Sequence, residues 1–74
     1  MSETAKIIEL LSTEFDRPEA VPASHLYLDL HFTSIDLIAF VWALEENHDI
    51  SIPDEDADKW LTVKDVIDYV EKNK

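Results

Sequence analysis

Thr33-Ser34-Ile35-Asp36-Leu37-Ile38-Ala39-Phe40-Val41-Trp42-Ala43-Leu44-Glu45-Glu46-Asn47-His48 is the stretch on which the fold turns. Thr33 is a good N-cap, and Asp36 stands three residues on, close to a capping box. The spacing predicts a helix from Ser34 to about His48. With successive residues placed about 100° apart, two apolar faces appear. Leu37, Phe40, Val41, Leu44 and His48 form one side. Ile35, Ile38 and Trp42 lie roughly opposite, with Ala39 beside them. Glu45 and Glu46 end that second stripe, and Asp36 flanks both. One apolar face is enough to seat a surface helix. A second implies burial on both sides, or a face that docks onto a partner. Few apolar residues remain elsewhere to cover both sides, and an apolar stripe with an acidic rim suits docking, with Trp42 as anchor.

Moving outward, three further helices are expected. The first runs from Ser2 to Phe15, with Ala5, Ile8, Leu11 and Phe15 recurring at helical steps and Ile7 beside them. Ser2 or Thr4 could cap it. Arg17 suits the C-terminal end of its dipole, and Pro18 stops it. A short acidic helix from Glu55 to Trp60 is capped by Asp54. The last helix opens after Thr62, paired with Asp65 as a cap, and runs from Val63 to about Lys72. Its core side is Val63, Val66, Ile67 and Val70, and Lys72 and Lys74 suit its C-terminal end.

Between the first two helices lies a long irregular stretch, Asp16 to Phe32. Pro18 and Pro22 forbid a helix across its first half. Leu26-Tyr27-Leu28-Asp29-Leu30-His31-Phe32 alternates like a strand, with Leu26, Leu28 and Leu30 expected to point inward. A lone strand cannot satisfy its own backbone, and the only segment able to pair with it is Ile50-Ser51-Ile52. A small α+β fold with a two-stranded ribbon is therefore the alternative to an all-α bundle.

The bulk numbers bound the rest. Seventy-four residues make one small domain, residues 1–74. Seventeen acidic residues against six basic ones give a net charge of −11. No Lys or Arg falls between Arg17 and Lys59. Such a surface repels nucleic acid and anionic membranes; it suits either a basic protein patch or no partner at all, as a plain solubilising surface, and charge alone does not choose between them. No cysteine is present, which excludes disulfides and thiolate metal sites. The longest apolar run, Leu37 to Leu44, is eight residues, too short to span a bilayer. No signal leader is visible, so a soluble, cytoplasmic monomer without membrane insertion is expected.

Ser34 has two readings from position alone. Serine is common at helix starts as a cap. A helix N-terminus also suits a phosphate, since free N–H groups and the positive end of the dipole converge there. Chemistry of other kinds has little support. Ser34 and His31 lack a glycine-rich elbow or a third member for nucleophilic catalysis. Asp54, Asp56 and Asp58 begin like a calcium loop, but Lys59 stands where its glycine belongs and Asp65 where its final Glu belongs. His25, His31 and His48 lack metal-ligand spacing. No metal site and no catalytic residue are expected.

The stretch Asp29-Leu30-His31-Phe32-Thr33-Ser34-Ile35-Asp36 resembles the attachment motif of the acyl carrier protein family. Ala43-Leu44-Glu45-Glu46, Ile52-Pro53-Asp54-Glu55-Asp56-Ala57 and Thr62 to Val70 resemble that family's second-helix end, following loop and last helix. The resemblance covers essentially the whole chain. It implies an all-α four-helix bundle with a long loop between the first and second helices. It implies a non-enzymatic carrier whose 4′-phosphopantetheine arm, taken from coenzyme A by a phosphopantetheinyl transferase, is esterified to Ser34. The arm would hold acyl or related intermediates as a thioester and deliver them to acyl-loading and acyl-processing enzymes of fatty acid, polyketide or related biosynthesis. Basic patches on those enzymes would meet Ile35, Asp36, Ile38, Trp42, Glu45 and Glu46. Phe40, Val41, Leu44 and Trp60 are its acyl-pocket candidates; Trp60 either fills part of that space or is plain core, and plain core is the favoured role. His31 stands in place of the family's Gly and Thr33 in place of its Asp, which implies a specialised member. The alternative is an acidic interaction module that never carries an arm.

Overall fold

The computed structural model describes residues 3–73, so Ser2 and Lys74 lie outside the described residues. Four helices follow one another: α1 (Glu3–Thr13), α2 (Ser34–His48), α3 (Asp54–Ala57) and α4 (Val63–Asn73). α1 packs against α4. One continuous core joins Ile7, Leu11, Leu26, Leu30, Phe40, Leu44, Val63, Val66 and Val70, all essentially inaccessible.

α2 and α4 are capped as their sequences dictate. Thr33 Oγ1 accepts from the Asp36 N–H at 3.1 Å, and Asp36 Oδ2 accepts from the Thr33 N–H at 3.0 Å. At α4, Asp65 Oδ2 accepts from the Leu61 and Thr62 N–H groups, while Thr62 Oγ1 accepts from the Asp65 N–H. Those backbone donors hold the Asp65 carboxyl below its ordinary value.

Several boundaries and phases differ from expectation. α1 begins before Thr4, which lies inside the helix and does not cap it, and it ends at Thr13. Its buried face is Ile7, Leu10 and Leu11, with Ile8 and Phe15 half-buried and Ala5 exposed. The stripe is thus rotated by about one residue, because Leu10 offers more area to bury than the single methyl of Ala5. The closing turn explains the early end. Asp16 takes φ 56°, and the Arg17 N–H reaches back six residues to the Leu11 carbonyl at 2.8 Å, a left-handed closure in which Asp stands where Gly is usual. α3 spans Asp54–Ala57, with Pro53 rather than Asp54 as its N-cap. Pro53 sits at φ −63° and ψ 146°, an extended entry that needs no N–H. Beyond Ala57 the bonds shorten to Lys59 N–H on Asp56 O and Trp60 N–H on Ala57 O, so the segment leaves the helix as tight turns.

The long loop is neither strand nor spacer. Among the described residues there is no strand, only an isolated bridge between His25 and Thr62. Ile50-Ser51-Ile52 does not pair with the loop. The reason is local. The His25 ring Nδ1 accepts from the Tyr27 and Leu28 N–H groups, Asp29 Oδ2 accepts from the His25 N–H, and the Asp29 and Leu30 N–H groups reach the His25 carbonyl. The chain therefore coils through residues 25–30 instead of extending. Leu26 and Leu30, four apart, are buried, whereas Leu28, expected inward, is 74% exposed. Three bonds between segments distant in sequence fix the loop to the start of α4: Leu26 N–H to Leu61 O, Val63 N–H to Ser24 O, and Lys64 N–H to Pro22 O.

Candidate functional site

Ser34 is the first residue of α2 and is exposed. The cap consumes the Asp36 N–H, and the Leu37 N–H closes the first turn onto the Thr33 carbonyl at 3.0 Å. The N–H groups of Ser34 and Ile35 precede the helical ladder, as at any helix start. A phosphate ester on Ser34 Oγ would thus stand at the positive end of a 15-residue helix.

The approach to Ser34 is unusual in its backbone. His31 holds φ 58°, a left-handed conformation that glycine adopts freely and His only at a cost. The chain contains no glycine. On either side, Leu30 and Phe32 are buried, and Phe32 packs with Phe15 and Phe40 at ring-centroid distances of 5.8 and 5.6 Å. Phe15 and Phe40 meet edge-on at 5.4 Å. This aromatic cluster anchors the segment leading into Ser34.

A cleft of about 360 Å³ opens beside Ser34 between α2 and α3. Leu37, Ile38, Val41 and Ala57 give it apolar walls, and Tyr27, Asp54 and Asp58 complete it. Of the four acyl-pocket candidates only Val41 lines this cleft. Phe40 and Leu44 are fully buried in the core, and Trp60 is buried in the same core and packs edge-on against Tyr69 at 5.5 Å. Tyr27 and Ala57 were not singled out from sequence, and Asp54 and Asp58 were read only as a cap and an incomplete calcium loop, since nothing in their local pattern shows that the loop and α3 both border α2.

The second face of α2 is uncovered. Ile35, Trp42 and Ile38 are 78%, 67% and 51% exposed. Their acidic neighbours divide. Glu46 is exposed. Glu45 is half-buried, and its Oε2 accepts from the Ile52 N–H at 2.8 Å, tying the helix to the following connection. Asp36 serves the cap and also faces Arg17 at 3.4 Å. Two of the three carboxylates near the stripe thus hold internal partners.

Comparison with known proteins agrees with this architecture. The family described as "Phosphopantetheine attachment site" matches residues 5–70. An acyl carrier protein from Helicobacter hepaticus is 47% identical over 99% of this chain and 93% of its own length. One from Syntrophobacter fumaroxidans is 41% identical over 93% of this chain and 88% of its own. Among solved structures, the crystal structure of an acyl carrier protein from Thermotoga maritima superposes with a TM-score of 0.78 at 36% identity, covering 92% of this chain and 81% of that one. A helix order, a capped serine-bearing helix and sequence matches that run nearly end to end converge on one conclusion: the chain belongs to the acyl carrier protein family.

Proposed function

We propose that Ser34 carries the 4′-phosphopantetheine arm of this carrier, and that the exposed face of α2 is where its partner enzymes dock. The protein carries acyl groups on a covalently attached 4′-phosphopantetheine and does not itself catalyse. Carriers of this family meet phosphopantetheinyl transferases and acyl-processing enzymes. The observation that carries the assignment is the exposed hydroxyl of Ser34 at the first position of α2, beside the cleft. In the transfer, Ser34 Oγ forms a new ester bond to the phosphorus next to pantetheine. The pyrophosphate link of coenzyme A breaks, adenosine 3′,5′-bisphosphate leaves, and the hydroxyl proton passes to the transferase or to water.

Residues 1–74 act as one carrier domain and as a monomer in this reading. The docking face is Ile35, Ile38 and Trp42, rimmed by Asp36, Glu45 and Glu46. A partner of complementary charge is attracted to it, because the chain carries −11 and no cation between Arg17 and Lys59. Val41, Leu37, Ile38 and Ala57 form the apolar surface that a thioester cargo meets beside Ser34.

Intact mass spectrometry tests the attachment. Wild type and Ser34→Ala are incubated with coenzyme A, magnesium and a broad-specificity transferase. A phosphopantetheinyl increment confined to the wild type is expected. No increment with several transferases would favour an interaction module that carries no arm.

A further inference from the structure

Arg17 is the sole cation between Lys6 and Lys59, and its guanidinium is held from four directions. Nε donates to the Leu30 carbonyl at 2.7 Å, and Nη1 donates to the Phe15 carbonyl. Nη2 lies 3.4 Å from Asp36 Oδ2. The guanidinium carbon sits 5.3 Å from the centroid of the Phe32 ring. The side chain is 22% exposed. Leu30 and Phe32 are the two neighbours of left-handed His31. Asp36 is the carboxylate that closes the cap over Thr33, two residues beyond Ser34. One planar group therefore grips the carbonyl before the strained residue, the ring after it and the cap that starts the helix.

A residue held in a sparsely populated backbone region persists only where its surroundings over-determine it. Glycine would relieve the demand at position 31, but the chain has none. A charge favouring the end of α1 could be supplied equally by Lys, yet a lysine ammonium cannot serve a carbonyl, a carboxylate and a ring face in one plane.

We infer that Arg17 is a positioning residue for the modification of Ser34: it braces the Leu30–Asp36 turn in the geometry that presents the serine hydroxyl. The inference rests on Ser34 being the attachment point. Its effect is exerted through His31 and Asp36, not by contact with the arm.

The test uses ¹⁵N-labelled full-length protein as wild type, Arg17→Lys and Arg17→Gln, the last also combined with His31→Gly. Amide exchange is read at Thr33 and Asp36 against the core amides of Val66 and Ile67. In parallel, kcat/KM is measured for arm transfer from coenzyme A. Both single variants are expected to exchange at least about ten-fold faster at Thr33 and Asp36 relative to Val66 and Ile67, an opening of local structure. Their kcat/KM for transfer is expected to fall at least about five-fold, a loss of pre-orientation. His31→Gly is expected to restore a large part of both losses, because glycine occupies the left-handed region without a brace. Wild-type behaviour in Arg17→Lys overturns the inference, as does equal acceleration at Val66 and Ile67, or failure of His31→Gly to rescue. If the wild type itself accepts no arm, the Ser34 assignment falls and takes this one with it. Loss in the variants beside a modified wild type separates the two.

Discussion

His31 adopts a left-handed backbone three residues before the candidate attachment serine. Such a conformation costs a non-glycine residue about 1–3 kcal/mol, offset in part by the greater freedom that glycine would have in the unfolded chain. His31→Gly is therefore expected to stabilise the protein by about 1 kcal/mol. For a chain of this size that raises Tm by roughly 4–8 °C, readable by circular dichroism. Single residues were unevenly legible. Thr33 and Asp36 announced their mutual cap, because a capping box is a local pattern that tertiary context rarely overrides. Leu28 misled, because alternation was read as a strand where the His25 ring and Asp29 carboxylate coil the chain. Arg17 read as a helix-end charge. A sequence shows that a cation is isolated, but not that its fork reaches Leu30, Phe32 and Asp36. The Gly-to-His departure at position 31 was the one signal that something must hold this turn.

At the scale of elements, α2 divides cleanly between a buried side and an open one, and substitutions should separate them. Phe40 is fully buried amid Phe15 and Phe32. Phe40→Ala is expected to cost about 3–5 kcal/mol, a large part of a small domain's whole stability of about 5–15 kcal/mol. Trp42 is 67% exposed on the other side. Trp42→Ala is expected to stay within about 0.5 kcal/mol of wild type in denaturant titration while weakening partner binding. A large loss of stability there would mark Trp42 as core. α4 supplies a pH test. Asp65, at the cap of that helix, has its pKa lowered from 3.8 by the Leu61 and Thr62 N–H groups. A depressed folded-state value means stability that is fully present above the unfolded value and is lost as pH falls through the folded one. Asp65 is exposed, so the effect is kept to about 1 kcal/mol by solvent screening. Asp65→Ala should be less stable than wild type at pH 7, and the gap should narrow below about pH 3.8. The helices themselves were readable because their caps and apolar spacings lie within a few residues. The rotation of α1 and the cleft between α2 and α3 were not, since both depend on which neighbour wins a shared surface.

Across the whole molecule, charge governs behaviour at long range. A net −11 on 74 residues gives a field that speeds encounter with a basic partner and is screened by salt. Association with an acyl-processing enzyme, followed by stopped-flow fluorescence of Trp42, should slow by about ten-fold or more between 0.05 and 0.5 M ionic strength. An association rate indifferent to salt would mean that docking is purely apolar. Pairing of distant segments also has a bearing on biosynthesis. Residues 22–26 of the long loop are tied down by hydrogen bonds to Leu61, Val63 and Lys64, all of which leave the ribosome well after the serine does. A nascent chain halted before Leu61 has the attachment residue and Arg17 but lacks the partners that seat residues 22–26 against the start of α4. A released fragment of residues 1–60 is therefore expected to be a poor transferase substrate beside the 74-residue chain.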